Sequence, residues 1–124
     1  SMTLVRVIFE VKHYKGTIYG KNTDKFWTQD FIQAENQHFN NPILQNNYHI
    51  SALNNLFPDI PKHSFIVFTS SECTLRIENN SPDVDICTLD NIQSKLENKF
   101  FKSTKRFSKE EINDIFIKLV TEEA

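Results

Sequence analysis

At 124 residues the chain is long enough to bury a sizeable core and too short for two domains, so residues 1–124 are read as one. A net charge of −2 and 39% hydrophobic content, with eleven Phe, describe a globular protein. They exclude one that coats nucleic acid through bulk positive charge, while leaving room for a local basic surface. Cys73 and Cys87 lie far apart with no His at zinc-finger spacing and read as reduced thiols; with no signal peptide and no apolar run of membrane-spanning length, the expectation is a soluble, cytoplasmic protein without membrane contact.

Ser1-Met2 looks like a tag remnant before an initiator methionine, which raises the expectation that the native protein extends upstream. Residues 4–12 then predict a buried strand, with Val5, Val7, Phe9 and Val11 on one face and Ile8 on the other. Lys15-Gly16 marks a turn, Thr17–Tyr19 a short strand ended by Gly20, and Lys25–Gln29 a third strand. Short strands joined by tight turns predict an antiparallel meander of all three. Residues 33–40 are polar and read as irregular. Asn41 as N-cap with Pro42 at the first helical position opens a helix that Pro58 closes, with Ile43, Leu44, Asn47, Tyr48, Leu53, Leu56 and Phe57 as its core stripe. Ser64–Thr69 is apolar on both faces and predicts a central strand paired in parallel with an earlier one. Thr74–Ile77 and Val84–Thr88 follow as strands, Asp90 caps a helix to about Phe101, and Ser108 with Glu111 opens a last helix after the basic loop Lys102–Phe107. This order gives an α/β (α+β) domain, a mixed sheet with helices packed on it.

The chemistry sits at the end of the first strand. Glu10 and Lys12 are two residues apart and point the same way. A carboxylate and an ammonium side by side on a hydrophobic strand cost free energy unless they are paired, hydrated or holding a ligand. Such a pair suits phosphodiester hydrolysis: the Glu ligates a divalent cation, and the Lys holds the attacking water and offsets phosphate charge. The alternative is a plain strand-end ion pair. Lys15, Lys21 and Lys25 near the hairpin are candidate phosphate contacts, and Lys95, Lys99, Lys102, Lys105, Arg106 and Lys109 form a second basic cluster that reads either as a phosphate track or as a solvated face. Trp27 is read as core, and His13, His38 and His63 as surface residues.

The strings EVKHYKGTIYG, FWTQ and NPILQNNYHI, in that order, resemble the nuclease-related domain (NERD) of the PD-(D/E)XK restriction-endonuclease-like superfamily. The resemblance implies a metal-dependent nuclease fold, here expected to lack its N-terminal helix and first strand. Glu10 would ligate Mg²⁺ or Mn²⁺ together with the Val11 carbonyl, Lys12 would be the catalytic lysine, and Gln45 the downstream glutamine near the metal-bound water. His49, one helical turn on, would face the same cleft. The superfamily's upstream Asp would fall before Ser1, so weak metal binding and little or no cleavage are expected. DNA is the expected partner. The competing reading is a non-catalytic DNA- or protein-binding module. A homodimer through an exposed sheet edge follows if a strand beside Val5–Lys12 is missing.

Overall fold

The computed structural model describes residues 2–4, 7–56, 58, 62–100, 110, 114 and 117. Among these residues two four-stranded sheets carry the fold. In the first, β1 (Met2–Leu4) pairs antiparallel with β2 (Val7–Lys12), which runs parallel to β6 (His63–Phe68), which runs parallel to β8 (Val84–Thr88). In the second, β5 (Gln37–Asn40), β4 (Phe26–Asp30) and β3 (Gly16–Lys21) form an antiparallel meander, and β3 runs parallel to β7 (Cys73–Glu78). Helix α1 (Pro42–Leu56) precedes β6, and α2 (Leu89–Phe100) follows β8.

β6 is the central strand its composition predicts: every residue from His63 to Phe68 is buried, and β2 and β8 flank it in parallel. Alternation along β2 and β6 divides the core. Val7, Phe9, Phe65, Val67 and Cys87 pack against Ile92 and Leu96 of α2, with Val11 partly buried beside them. On the other side Ile66, Phe68 and Val84 meet Ile18, Trp27 and Ile43. Glu10 and Lys12, offset by one residue from the α2-facing set, therefore look toward α1.

The three-strand meander is corrected in one respect. β2 does not pair with β3; the chain leaves one sheet at Lys12 and enters the other at Gly16, and the meander comprises β3, β4 and β5. Gly16 makes the passage, with φ of +90° and a Cα that lies against the Asp30 carbonyl, where a Cβ would come within 2.5 Å of the oxygen. The Gln29 side-chain amide donates to the Lys15 carbonyl at 2.8 Å and holds the bend. Gly20 does not end β3, which runs on to Lys21; its missing Cβ leaves room for the Trp27 ring, whose Cδ1 would otherwise be 2.3 Å away.

Other expectations shift as well. The 4–12 strand is two elements, β1 and β2, and Val5 lies outside the described residues. Residues 37–40, read as irregular, form β5, whose backbone pairs with β4 despite its polar sequence. In α1 the buried residues are Pro42, Ile43 and Asn46, whereas Leu44, Tyr48 and Leu56 are exposed, so the predicted stripe is misplaced; Phe57 is not described. Thr88 rather than Asp90 occupies the cap of α2, its N–H donating to Asn91 Oδ1 at 3.0 Å. His63 is buried, not a surface residue, with Nε2 2.7 Å from Asp85 Oδ2 and its ring edge-on to Phe65. Trp27 is core, fully buried, its Nε1–H donating to the Lys21 carbonyl at 2.9 Å. Of the predicted last helix only residues 110, 114 and 117 are described, and they are helical. The loop Lys102–Phe107 and Lys109 lie outside the described residues. No helix among the described residues is long and apolar enough to cross a membrane.

Candidate functional site

The site is built where β2 and α1 face each other. Helix α1 is fixed there by Asn41, whose side chain is wholly buried. Its Nδ2 donates to the carbonyls of Asp24 at 2.7 Å and Asn22 at 3.0 Å, while its Oδ1 accepts from Ile43 N–H at 2.8 Å. The backbone N–H of Asn41 adds a bond to the Lys25 carbonyl at 3.0 Å. One residue thus caps the helix and ties its first turn to the β3–β4 hairpin. Pro42 at the first position continues the helix without needing a donor.

With α1 held in this way, Gln45 and His49, one turn apart, project over the end of β2. A cavity of about 410 Å³ results, lined by Glu10, Lys12, Pro42, Gln45, Tyr48 and His49. Glu10 and Lys12 do not pair with each other. The Glu10 carboxylate, only 11% exposed, accepts from His49 Nδ1 at 2.5 Å. Lys12 Nζ reaches Gln45 Oε1 at 3.4 Å, a long contact to a neutral oxygen. Among the described residues no carboxylate pairs with the Lys12 ammonium. A cation faced by an amide rather than an acid keeps its charge available to an incoming anion.

The backbone of β2 adds one group. The Lys12 carbonyl accepts from Thr69 N–H at 2.9 Å and so points toward β6. The Val11 carbonyl, its neighbour along the strand, points to the opposite edge, beyond the Val7–Phe9 stretch that β1 covers.

A second hollow of about 320 Å³ adjoins the first and shares Lys12 and Gln45 with it; Tyr14, Phe26, His38, Phe39 and Asn40 complete its lining. Sequence reasoning missed this hollow, as it missed Tyr48 in the first. Tyr48 follows Gln45 by three helical positions, a spacing that signals a shared face once Gln45 is singled out. The second hollow had no such signal, because it depends on β5.

Lys15, Lys21 and Lys25 line neither hollow. Lys15 pairs with Glu72 at 3.4 Å and Lys21 with Glu78 at 3.8 Å, both across the β3–β7 pairing and both exposed. Lys25 Nζ sits 5.4 Å from the centre of the ring of Phe26, a residue that lines the second hollow. His13 is exposed, its Nδ1 3.2 Å from Thr69 Oγ1.

The donors at the cleft bear on a divalent cation. Among the described residues no group of three or more His, Cys, Asp or Glu gathers to hold a metal ion. Among the described residues Glu10 is the sole carboxylate lining the cavity, and Val11 is not part of its lining. That set is too small for a resident Mg²⁺ and becomes adequate only if substrate phosphate oxygens complete it.

Parallel strands β2, β6 and β8 between helices, with a charged cleft at the end of β2, define an α+β domain of restriction-endonuclease-like type. The model of the family described as "nuclease-related domain" (NERD) matches residues 6–69, just over half of the chain. The protein belongs to the NERD family. No curated protein and no solved structure matches it.

Proposed function

We propose that the cleft between β2 and α1 binds the phosphodiester backbone of DNA, as a nuclease-related domain whose hydrolytic capacity depends on a divalent cation and is weak or absent in this chain. The observation that carries this reading is the meeting of Lys12 and Gln45, 33 positions apart in sequence, in one cleft with Glu10. Lys12 would neutralise a phosphate oxygen. Gln45 would orient Lys12, and His49 would hold the Glu10 carboxylate in place. Mg²⁺ or Mn²⁺, held by Glu10 and the Val11 carbonyl jointly with the phosphate, would supply an activated water and charge neutralisation. A cytoplasmic location suits the two free thiols.

A second reading, a non-catalytic module that binds DNA or protein on a degenerate nuclease fold, is favoured by one observation: the lone carboxylate is already bonded to His49. Turnover separates the two. Fluorescence anisotropy with a labelled oligonucleotide should give salt-dependent binding, weakened roughly tenfold by Lys12→Ala, the loss of one charge-assisted contact. In Mn²⁺ or Mg²⁺, any cleavage should disappear with Glu10→Ala and with excess chelator. Cleavage that survives chelation overturns the metal-dependent reading; an absence of DNA binding at low salt overturns both DNA readings.

A further inference from the structure

The second hollow has no part in phosphodiester chemistry, yet it is continuous with the cleft through Lys12 and Gln45. Tyr14 and Phe39 of its lining stack on each other on the core side of the β4–β5 pair, with ring centres 4.5 Å apart and planes at 18°. Phe26, on the opposite face of that pair, also lines the hollow and leaves half of its surface (51%) in solvent. The rest is polar: His38, its Nδ1 3.2 Å from Thr28 Oγ1, and the amide of Asn40, opposite Phe26 in the β4–β5 register. A half-exposed ring keeps apolar surface in water, which costs hydration free energy. A flat ligand with an apolar face and polar edges would cover it, and at roughly 300–1,000 Å³ small-ligand sites have the volume seen here.

We infer that this hollow is a subsite for one unpaired nucleobase of the strand whose phosphate lies at Lys12. The inference rests on the proposed DNA-binding reading and deepens it: the ligand is single-stranded or locally opened. Phe26 is the stacking platform, which works for any base because every base has a π-face. Lys25, over the same ring, is placed to meet the next phosphate, a role the cleft itself does not give it. His38 and Asn40 offer donors and acceptors to the base edge. A paired base cannot enter, since its edge is occupied and its faces are stacked on neighbours.

The test uses the full chain in chelator, so that binding is read without turnover. Labelled oligothymidine, an all-abasic strand of the same length, and a blunt duplex are compared by anisotropy. Oligothymidine should bind tightest. Phe26→Ala should weaken it about tenfold, the loss expected for one stacked base, and leave the abasic strand unchanged, while Phe26→Trp should restore it. Lys12→Ala should weaken all three ligands. Equal affinity for oligothymidine and the abasic strand, or an equal loss on both with Phe26→Ala, overturns the base subsite. A Lys12-dependent, base-independent affinity would do so while leaving the phosphate reading intact.

Discussion

At the scale of single residues, the family motifs divide into two kinds of work. Glu10, Lys12 and Gln45 are exposed to the cleft or border it, whereas Asn41, Trp27, Gln29 and Gly20 are structural. Asn41 shows the difference most clearly. Its side chain, wholly buried, makes one acceptor and at least two donor contacts at 3.0 Å or less, to the helix and to two hairpin carbonyls. Asn41→Ala removes an N-cap, worth about 1 kcal/mol, and leaves the part-buried Asn22 and Asp24 carbonyls without that donor, at the lower end of about 1–3 kcal/mol because solvent partly reaches them. A combined loss of about 2–3 kcal/mol is expected in urea denaturation, with DNA affinity reduced because α1 no longer holds Gln45 over Lys12. Asn41→Asp keeps the capping oxygen but sets a buried carboxylate oxygen against the Asn22 and Asp24 carbonyl oxygens, and so should be no more stable than Asn41→Ala. A full-strength Asn41→Ala variant would mean that the hairpin is held by something else. Lys15 and Lys21 contrast with it: their exposed pairs with Glu72 and Glu78 are worth about 0–1 kcal/mol, and replacing them costs little stability.

At the scale of elements, the runs with one dominant pattern were legible. β2 and β6 are continuous apolar stretches, and the turn residues between β3 and β4 and the Asn41-Pro42 helix start leave no competing reading. Pattern failed where polarity and burial part company. Asn46 is polar and wholly buried on α1, with no hydrogen-bond partner for its amide among the described residues, while Leu44, Tyr48 and Leu56 are apolar and exposed. A periodicity argument counts these residues the wrong way round. β5 was illegible for a related reason: Gln37, His38 and Asn40 give no alternation, and the strand exists because β4 offers it a ladder. The cleft was readable only in part: the resemblance assigns roles to Glu10, Lys12 and Gln45, but none to Tyr14 and Tyr48 in the same strings, and Phe39 lies outside them. The same β2 bears on association. β1 covers Val7–Phe9, and no strand among the described residues pairs with the outer edge from Glu10 to Lys12. That edge is short and charged, which blunts pairing with other chains. We propose a weak homodimer through it, seen by light scattering only at high protein concentration and dissociated by oligonucleotide, because the paired edge and the cleft share Glu10 and Lys12. A dimer that persists in saturating oligonucleotide, or a monomer at every concentration, would refute this contact.

For the whole molecule, the two thiols set a limit on stability that the cleft does not. Cys87 packs under α2 against Phe65 and Leu96, and burial pushes its thiol up to about 12; Asp85 beside it works in the same direction, while Lys95 opposes both. Burial alone raises Cys73 to about 11. Each is an acid whose folded-state value lies above its ordinary 9.0. The unfolded chain therefore loses these protons first as pH rises. Stability from the neutral thiols is complete below about pH 9, then falls as pH climbs toward 11 and 12, by at most about 1.4 kcal/mol per pH unit for Cys87 and by less for the half-exposed Cys73. Urea midpoints measured from pH 7 to pH 10.5 should be flat to about pH 9 and decline beyond it. Lysines and tyrosines also titrate in that range, so the thiol share is isolated by comparison with Cys87→Ala. That variant should be less stable at pH 7, because it loses packing between β8 and α2, but its decline above pH 9 should be shallower. Parallel declines in the two proteins would assign the alkaline loss to other groups. Thiol labelling gives an independent reading: at pH 8 Cys87 should react at the rate of global unfolding, and Cys73, half-buried on β7, faster than Cys87 but slower than a free thiol.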